Sequence, residues 1–181
     1  MTKSTSSLSP AVIKTPGRWP RFASMMYEGI LLFGLVFLAD FIFDTLTRSD
    51  HALLLRHTRQ AWLFVVLGAY FLLCWRRGGQ TLPMSTWHIK LVDAQGQRPS
   101  LARLALRYLL LWPLPLAAGA LVWLIGRWTG WSSSGLLIVF APFTIFIWTW
   151  LDRDGQFLHD RLAGTRLTLL PARQRKPHPI V

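Results

Sequence analysis

Two residues of opposite charge lie near the start of the first long apolar segment. Arg21 and Glu28 are seven positions apart, which is about 700° of helical rotation and returns both side chains to one helix face. Such a pair could be a structural ion pair, with Arg21 reaching back to the membrane surface. It could equally be part of an ion path, because carboxylates inside membranes mark ion and proton routes. The spacing alone leaves both interpretations open.

A second group of titratable residues follows the last apolar segment. It contains Asp152, Asp154, His159 and Asp160. Three carboxylates could coordinate a cation, and a histidine beside an acid, as His159 is beside Asp160, could act as a general base. No Ser or Cys stands in a nucleophile motif. We therefore expect no enzymatic activity, no cofactor and no resident metal.

The competing interpretation of Asp160 is structural. In it, the carboxylate caps a helix or forms a salt bridge with an arginine elsewhere in the chain. The candidate arginines are Arg21, Arg103 and Arg107.

The segment that carries Arg21 and Glu28 is long enough to cross a bilayer. Between Arg21 and Asp44 lie 22 residues, of which only Glu28 and Asp40 are charged. A hydrocarbon core of about 30 Å needs about 20 mostly apolar residues in a helix. The segment exceeds the apolar core of a signal peptide, so we expect it to persist as a membrane anchor.

Three more apolar segments follow, so the sequence predicts an all-α membrane protein built as a four-helix transmembrane bundle. The predicted spans are residues 22–43, 59–75, 104–125 and 135–151. They belong to a transmembrane domain at 21–171, between disordered basic tails at 1–20 and 172–181. Pro113 and Pro115 should break the third span near Trp112. Tyr70 and Trp75 suit the aromatic belts of a membrane surface.

Two short segments alternate apolar and polar residues, which is the period of a β-strand. They are His88–Val92 and Thr165–Leu170. Neither can stand alone as a strand. We expect them to pair outside the bilayer, as a small cytoplasmic two-stranded β element.

The net charge of +12 does not indicate nucleic-acid binding, because the basic residues lie between the apolar segments. If four helices span, 15 Lys and Arg lie on one side and four on the other. The positive-inside rule then places both termini in the cytoplasm. The lipid bilayer and its anionic headgroups are the expected partners.

Three stretches together resemble the RDD family of small bacterial membrane proteins. They are Arg21 with an acidic residue seven positions later, GQTLPMSTWHIKLVDAQGQRPS with LARLALRY, and DRDGQFLHDRLAGTRL. The resemblance covers residues 18–171. Arg21 and Asp160 match the family's Arg and Asp, whereas Glu28 stands where Asp is usual. Pro83 and Met84 replace a common Gly and a frequent Lys.

The resemblance implies an integral protein of the bacterial inner membrane. Ligand or cation transport has been proposed for the family, and cation/proton antiport for some members. We therefore expect a multi-pass protein that assists or performs transport of a small solute or cation. The alternative is a non-transporting membrane partner or assembly protein. A transporter of four short helices would need to form a homo-oligomer or to join another membrane protein.

Overall fold

The computed structural model describes residues 15–47, 55–130 and 132–170. The predicted C-terminal tail and most of the predicted N-terminal tail lie outside these residues. The first helix begins at Arg18, inside the predicted 1–20 tail. Pro20 permits this start, because proline is tolerated in the first turn of a helix, where its missing N–H has no intrahelical partner.

The described residues form helices and one small sheet. In chain order these are α1 (Arg18–Thr47), α2 (Arg56–Gly78), α3 (Leu82–Thr86), β1 (Ile89–Asp93), α4 (Leu101–Leu110), α5 (Pro113–Thr129), a 3₁₀ segment (Ser132–Phe143), α6 (Thr144–Leu151), α7 (Leu158–Leu162) and β2 (Thr165–Leu169). Among the described residues, three helical stretches can cross a membrane by length and composition. They are Arg18–Thr47, Arg56–Thr86 and Leu101–Thr129.

Proline positions decide where the later helices break. α4 ends at Leu110 and α5 begins at Pro113, which confirms the predicted break near Trp112. Proline fits the first position of a helix but not its interior. Pro142 lies in the 3₁₀ segment, and α6 begins only at Thr144. The predicted fourth span at 135–151 is thus a 3₁₀ segment followed by a short α-helix, and it is not among the three membrane-capable helices of the described residues.

The two predicted strands pair, as their alternation indicated. β1 and β2 are antiparallel, with Leu91 opposite Leu167 and Ile89 opposite Leu169. Ile89, Leu91 and Leu167 are buried. The sheet thus has one apolar face on the core, which fixes its register, because a one-residue slip would turn that face outward.

Gly79 joins the end of α2 to the sheet. Its φ is 69°, in the left-handed region that glycine adopts without steric cost. Its N–H bonds to the carbonyl of Trp75 at 3.0 Å, and its own carbonyl accepts the N–H of Leu91 at 2.7 Å. A Cβ there would lie 3.0 Å from the Leu91 oxygen. The glycine therefore permits both the turn and the close approach of β1.

The buried core lies where the sheet meets the helices. Its members are Trp75, Met84, Ile89, Leu91, Leu104, Tyr108, Phe157 and Leu167. Elsewhere the long helices expose large apolar side chains, such as Phe33 at 77% and Phe37 at 70%. Such faces are typical of helices surrounded by lipid, which is as apolar as the side chains themselves.

The register gives a first prediction. Lys90 lies opposite Thr168, so cysteines at these positions should form a disulfide under mild oxidation. The native Cys74 is first replaced by Ser. A control pair, Lys90 with Leu169, is one residue out of register and points to opposite faces. Equal cross-linking of both pairs, measured by gel mobility after oxidation, would contradict this register.

Candidate functional site

A cavity of about 400 Å³ lies between α1, α2, the α4–α5 segment and α6. Most of its lining is apolar, from side chains such as Leu32, Phe71 and Trp112. Its volume is in the range of pockets that hold small molecules, about 300–1,000 Å³. The charged and titratable side chains that line it are Arg21, Glu28, Arg107, Tyr108 and His159.

Arg21 is buried in the protein, with 4% of its surface exposed. Its Nη1 donates a hydrogen bond to the carbonyl of Gly155, and its Nε donates to that of Gly17 at 3.4 Å. The guanidinium also lies over the ring of Phe157, 5.2 Å from the centroid. Arg21 is therefore held by contacts within the protein. It connects α1 to the loop that follows α6.

Glu28 has different partners, two turns further along α1. Its Oε1 accepts the hydroxyl of Tyr70 at 2.6 Å, and its Oε2 accepts the hydroxyl of Thr81. Among the described residues, no salt bridge joins Glu28 to Arg21. Of the two interpretations that the spacing left open, the described structure does not contain the direct ion pair. The two residues share a face, but each side chain bonds to a different neighbouring segment.

Asp160 forms the buried ion pair of the site. Its Oδ1 lies 2.6 Å from Arg107 Nε and accepts the Thr165 hydroxyl at 3.0 Å. Asp160 is fully buried. Burial alone would raise its pKa, but the charge and hydrogen bond of Arg107, together with His159 and the Thr165 hydroxyl, outweigh this and hold the pKa below its usual value. Arg107 also lies 4.2 Å from the ring centroid of Trp75. Of the three candidate arginines, Arg107 is the partner.

His159 stacks on the Phe157 ring at 5.2 Å, with 11° between the planes. Its Nε2 lies 3.8 Å from Asp160 Oδ2, which has no hydrogen-bond partner within the described residues. Burial disfavours the imidazolium more than Asp160 favours it, and lowers the pKa of His159 to about 3. The side chain is therefore neutral at neutral pH.

The remaining carboxylates do not complete a cation site. Asp152 Oδ2 accepts the backbone N–H of Gln156 at 2.8 Å, and Oδ1 pairs with Arg161. Asp154 is exposed. Over the described ranges, no three His, Cys, Asp or Glu side chains are gathered so as to hold a metal ion. The structure assigns these carboxylates to separate local contacts.

Several contact residues were missed by sequence reasoning. Tyr70 and Trp75 were expected at the membrane surface, yet Tyr70 bonds to Glu28 and Trp75 lies in the core. Thr81 was not singled out at all. A signal for it existed, since a threonine shortly before Pro83 is a typical helix N-cap. Its hydroxyl does cap α3 by accepting Met84 N–H at 3.4 Å.

Comparison with known proteins identifies one family. The model of the RDD family matches residues 15–164, which is most of the chain. No curated protein matches the sequence, and no solved structure matches it either.

The buried pair gives a second prediction. Replacing Arg107 by Gln should lower the free energy of unfolding by about 3–5 kcal/mol, because it leaves Asp160 charged, buried and unpaired. Arg103, one turn earlier, provides a matched control. Arg103 Nη1 lies 3.6 Å from Asp93 Oδ2, and 47% of the Arg103 side chain is exposed. R103Q should therefore lower the free energy of unfolding by at most about 1 kcal/mol. Denaturant titration in detergent measures the free energy of unfolding of the two variants. Equal decreases would refute a dominant role for the Arg107–Asp160 pair.

The lowered pKa of His159 gives a third prediction. Below about pH 6.5 the unfolded chain takes up a proton on His159 that the folded chain does not, so stability should fall as pH falls. The slope should approach about 1.4 kcal/mol per pH unit between roughly pH 5.5 and 4. His159→Phe keeps an aromatic ring on Phe157 without a titrating group. The unfolding temperature, measured at a series of pH values, should change less with pH in this variant than in the wild type. An unchanged pH dependence would contradict the lowered pKa of His159.

Proposed function

The chain belongs to the RDD family, and from that premise we propose that it transports a small solute across the bacterial inner membrane. Glu28 carries this proposal, because its carboxylate lines the cavity and lies within a membrane-capable helix. An acidic side chain at the centre of a membrane-spanning helix costs about 2.5–3.5 kcal/mol on insertion scales. Hydrogen bonds from two hydroxyl groups offset part of that cost. A role in binding the solute explains why a carboxylate is placed there.

The sheet supports a return of the chain across the bilayer after α5. β1 precedes the Leu101–Thr129 stretch, β2 follows α6, and the two strands pair. If Leu101–Thr129 crosses the membrane, the following segment must cross back for the strands to meet. A 3₁₀ helix rises about 2.0 Å per residue, compared with about 1.5 Å for an α-helix. Residues 135–151 therefore extend about 30 Å, enough for the hydrocarbon core.

Four crossings would place both termini on one side of the membrane. The distribution of Lys and Arg makes that side the cytoplasm. The sheet and the loop around Gly155 would then lie at the cytoplasmic end of the bundle. In this arrangement the cavity lies just inside the cytoplasmic surface, and Glu28 is on its membrane side.

Flux provides the fourth prediction. Purified protein in liposomes should move at least one small solute or cation faster than protein-free liposomes do. The test follows Na⁺ and K⁺ gradients with a trapped pH-sensitive dye, and amino-acid uptake with radiolabel. Gly29→Phe should abolish the flux, because Gly29 lines the cavity and has no atom within 4 Å of its Cβ position. Gly34→Phe is the matched control. Gly34 also has no atom within 4 Å of its Cβ position, but it does not line the cavity.

Glu28→Gln separates transport from structure. In a transporter the variant should fold and insert normally but lose most of its flux. Absence of flux for every solute in the wild-type protein would reject transport and favour the alternative, a non-transporting membrane partner or assembly protein. Equal loss of flux in Gly34→Phe would show that a bulky side chain anywhere on α1, rather than one in the cavity, blocks transport.

A further inference from the structure

We propose that the cavity binds a zwitterionic solute, with its ammonium group at Glu28, its anionic group at Arg21 and an apolar part between them. This inference deepens the proposed function, because it takes the same cavity as the solute site and assigns the chemical class of the solute. It rests on which charged side chains of the cavity form direct ion pairs, on the spacing along α1, and on a buried indole N–H that lacks a partner.

The charges at the cavity divide into a compensated pair and two separate ions. Arg107 is paired with Asp160. Arg21 donates to two backbone carbonyls and lies over an aromatic ring, while Glu28 accepts two neutral hydroxyls. Within the part of the chain that the structure describes, neither Arg21 nor Glu28 has a salt-bridge partner. The cavity therefore presents a cation and an anion that each lack a direct ion-pair partner, although Asp160 and Asp152 act on Arg21, and Arg107 acts on Glu28, at longer range.

These two ions favour a ligand that carries both charges. A simple cation would pair with Glu28 and leave Arg21 without a direct ion-pair partner, and a simple anion would do the reverse. An unpaired charge in a poorly solvated site is costly, whereas pairing with charge-assisted hydrogen bonds lowers that cost. A zwitterion compensates both ions at once and adds no net charge to the site.

The spacing and the walls indicate the shape of the ligand. Arg21 and Glu28 are separated by about 10 Å along the axis of α1. Between and opposite them the lining is apolar, including Met25, Phe71 and Leu111. A ligand with an aliphatic or aromatic middle section fits these walls by burying apolar surface.

One indole group offers a hydrogen bond to the ligand as well. Trp75 lines the cavity, and its Nε1 atom is buried without a hydrogen-bond partner among the described residues. Buried donors are normally satisfied. An indole N–H can only donate, so this group calls for an acceptor such as a carboxylate oxygen.

Matched probes test the charge requirement and form the fifth prediction. The probes are 6-aminohexanoate, hexylammonium and hexanoate, which share a linear apolar chain and differ in their charged ends. Binding is measured by calorimetry on the full-length protein in lipid nanodiscs, with empty nanodiscs as the blank for partitioning. The zwitterion should bind at least about tenfold more tightly than either singly charged probe, since a hydrogen bond to a charged group contributes about 1.5–3 kcal/mol.

Charge-removing variants should change which probe is preferred. Glu28→Gln should weaken 6-aminohexanoate about tenfold or more and leave hexanoate binding at least as tight as in the wild type. Arg21→Gln should have the mirror effect, favouring hexylammonium. Because Arg21 also bonds to the Gly155 loop, Arg21→Gln could fail to fold. In that case the probe preference of Glu28→Gln alone decides whether the cavity binds a zwitterion. Gly29→Phe should abolish binding of all three probes, whereas Gly34→Phe should bind them as the wild type does.

The outcomes separate this inference from the transport proposal. Preference for the zwitterion with no flux would support the ligand class and reject transport. Flux of an inorganic cation without preferential binding of 6-aminohexanoate would support transport and reject the ligand class. Equal binding of the three probes, or an unchanged preference in Glu28→Gln, would overturn the inference.

Discussion

The buried contact between Arg107 and Asp160 is the interaction on which the rest of the site depends. It joins α4 to α7, and through Thr165 it also reaches the start of β2. A buried ion pair stabilises a fold only when further contacts compensate for lost hydration. Here Trp75 covers the guanidinium and Thr165 bonds to the carboxylate. Several elements must therefore be correctly placed before the pair becomes favourable, which links the sheet, the core and one wall of the cavity.

α1 has a different role, because its two charged residues connect to two different parts of the protein. Arg21 reaches the loop after α6, and Glu28 reaches α2 and the N-cap of α3. Each contact holds α1 against a different neighbour, so the helix bridges the early and late halves of the chain. The space left between these neighbours is the cavity. Its polar character thus comes from groups that also position the helices.

Sequence patterns predicted the local features of this structure better than the contacts between elements. The alternation of Ile89 and Leu91 indicated a strand, and Pro113 indicated a helix break, because both depend on neighbouring residues alone. The spacing of Arg21 and Glu28 correctly indicated a shared helix face. It did not reveal that Gly155 and Tyr70 would be their partners, since that depends on how distant segments pack. Nor did composition distinguish Arg107 from the other two candidate arginines of Asp160.

The pairing of β1 with β2 has a consequence for how the protein is made. β2 is synthesised after the last two apolar segments, so β1 has no strand partner until those segments have been made. Glu28 meets Tyr70 and Thr81 early, as soon as α2 and α3 are present. Arg21 meets Gly155 and Phe157 only after α6 has been made. A truncated or badly inserted chain would expose an unsatisfied arginine and an unpaired strand edge, which are features that cellular quality control can recognise.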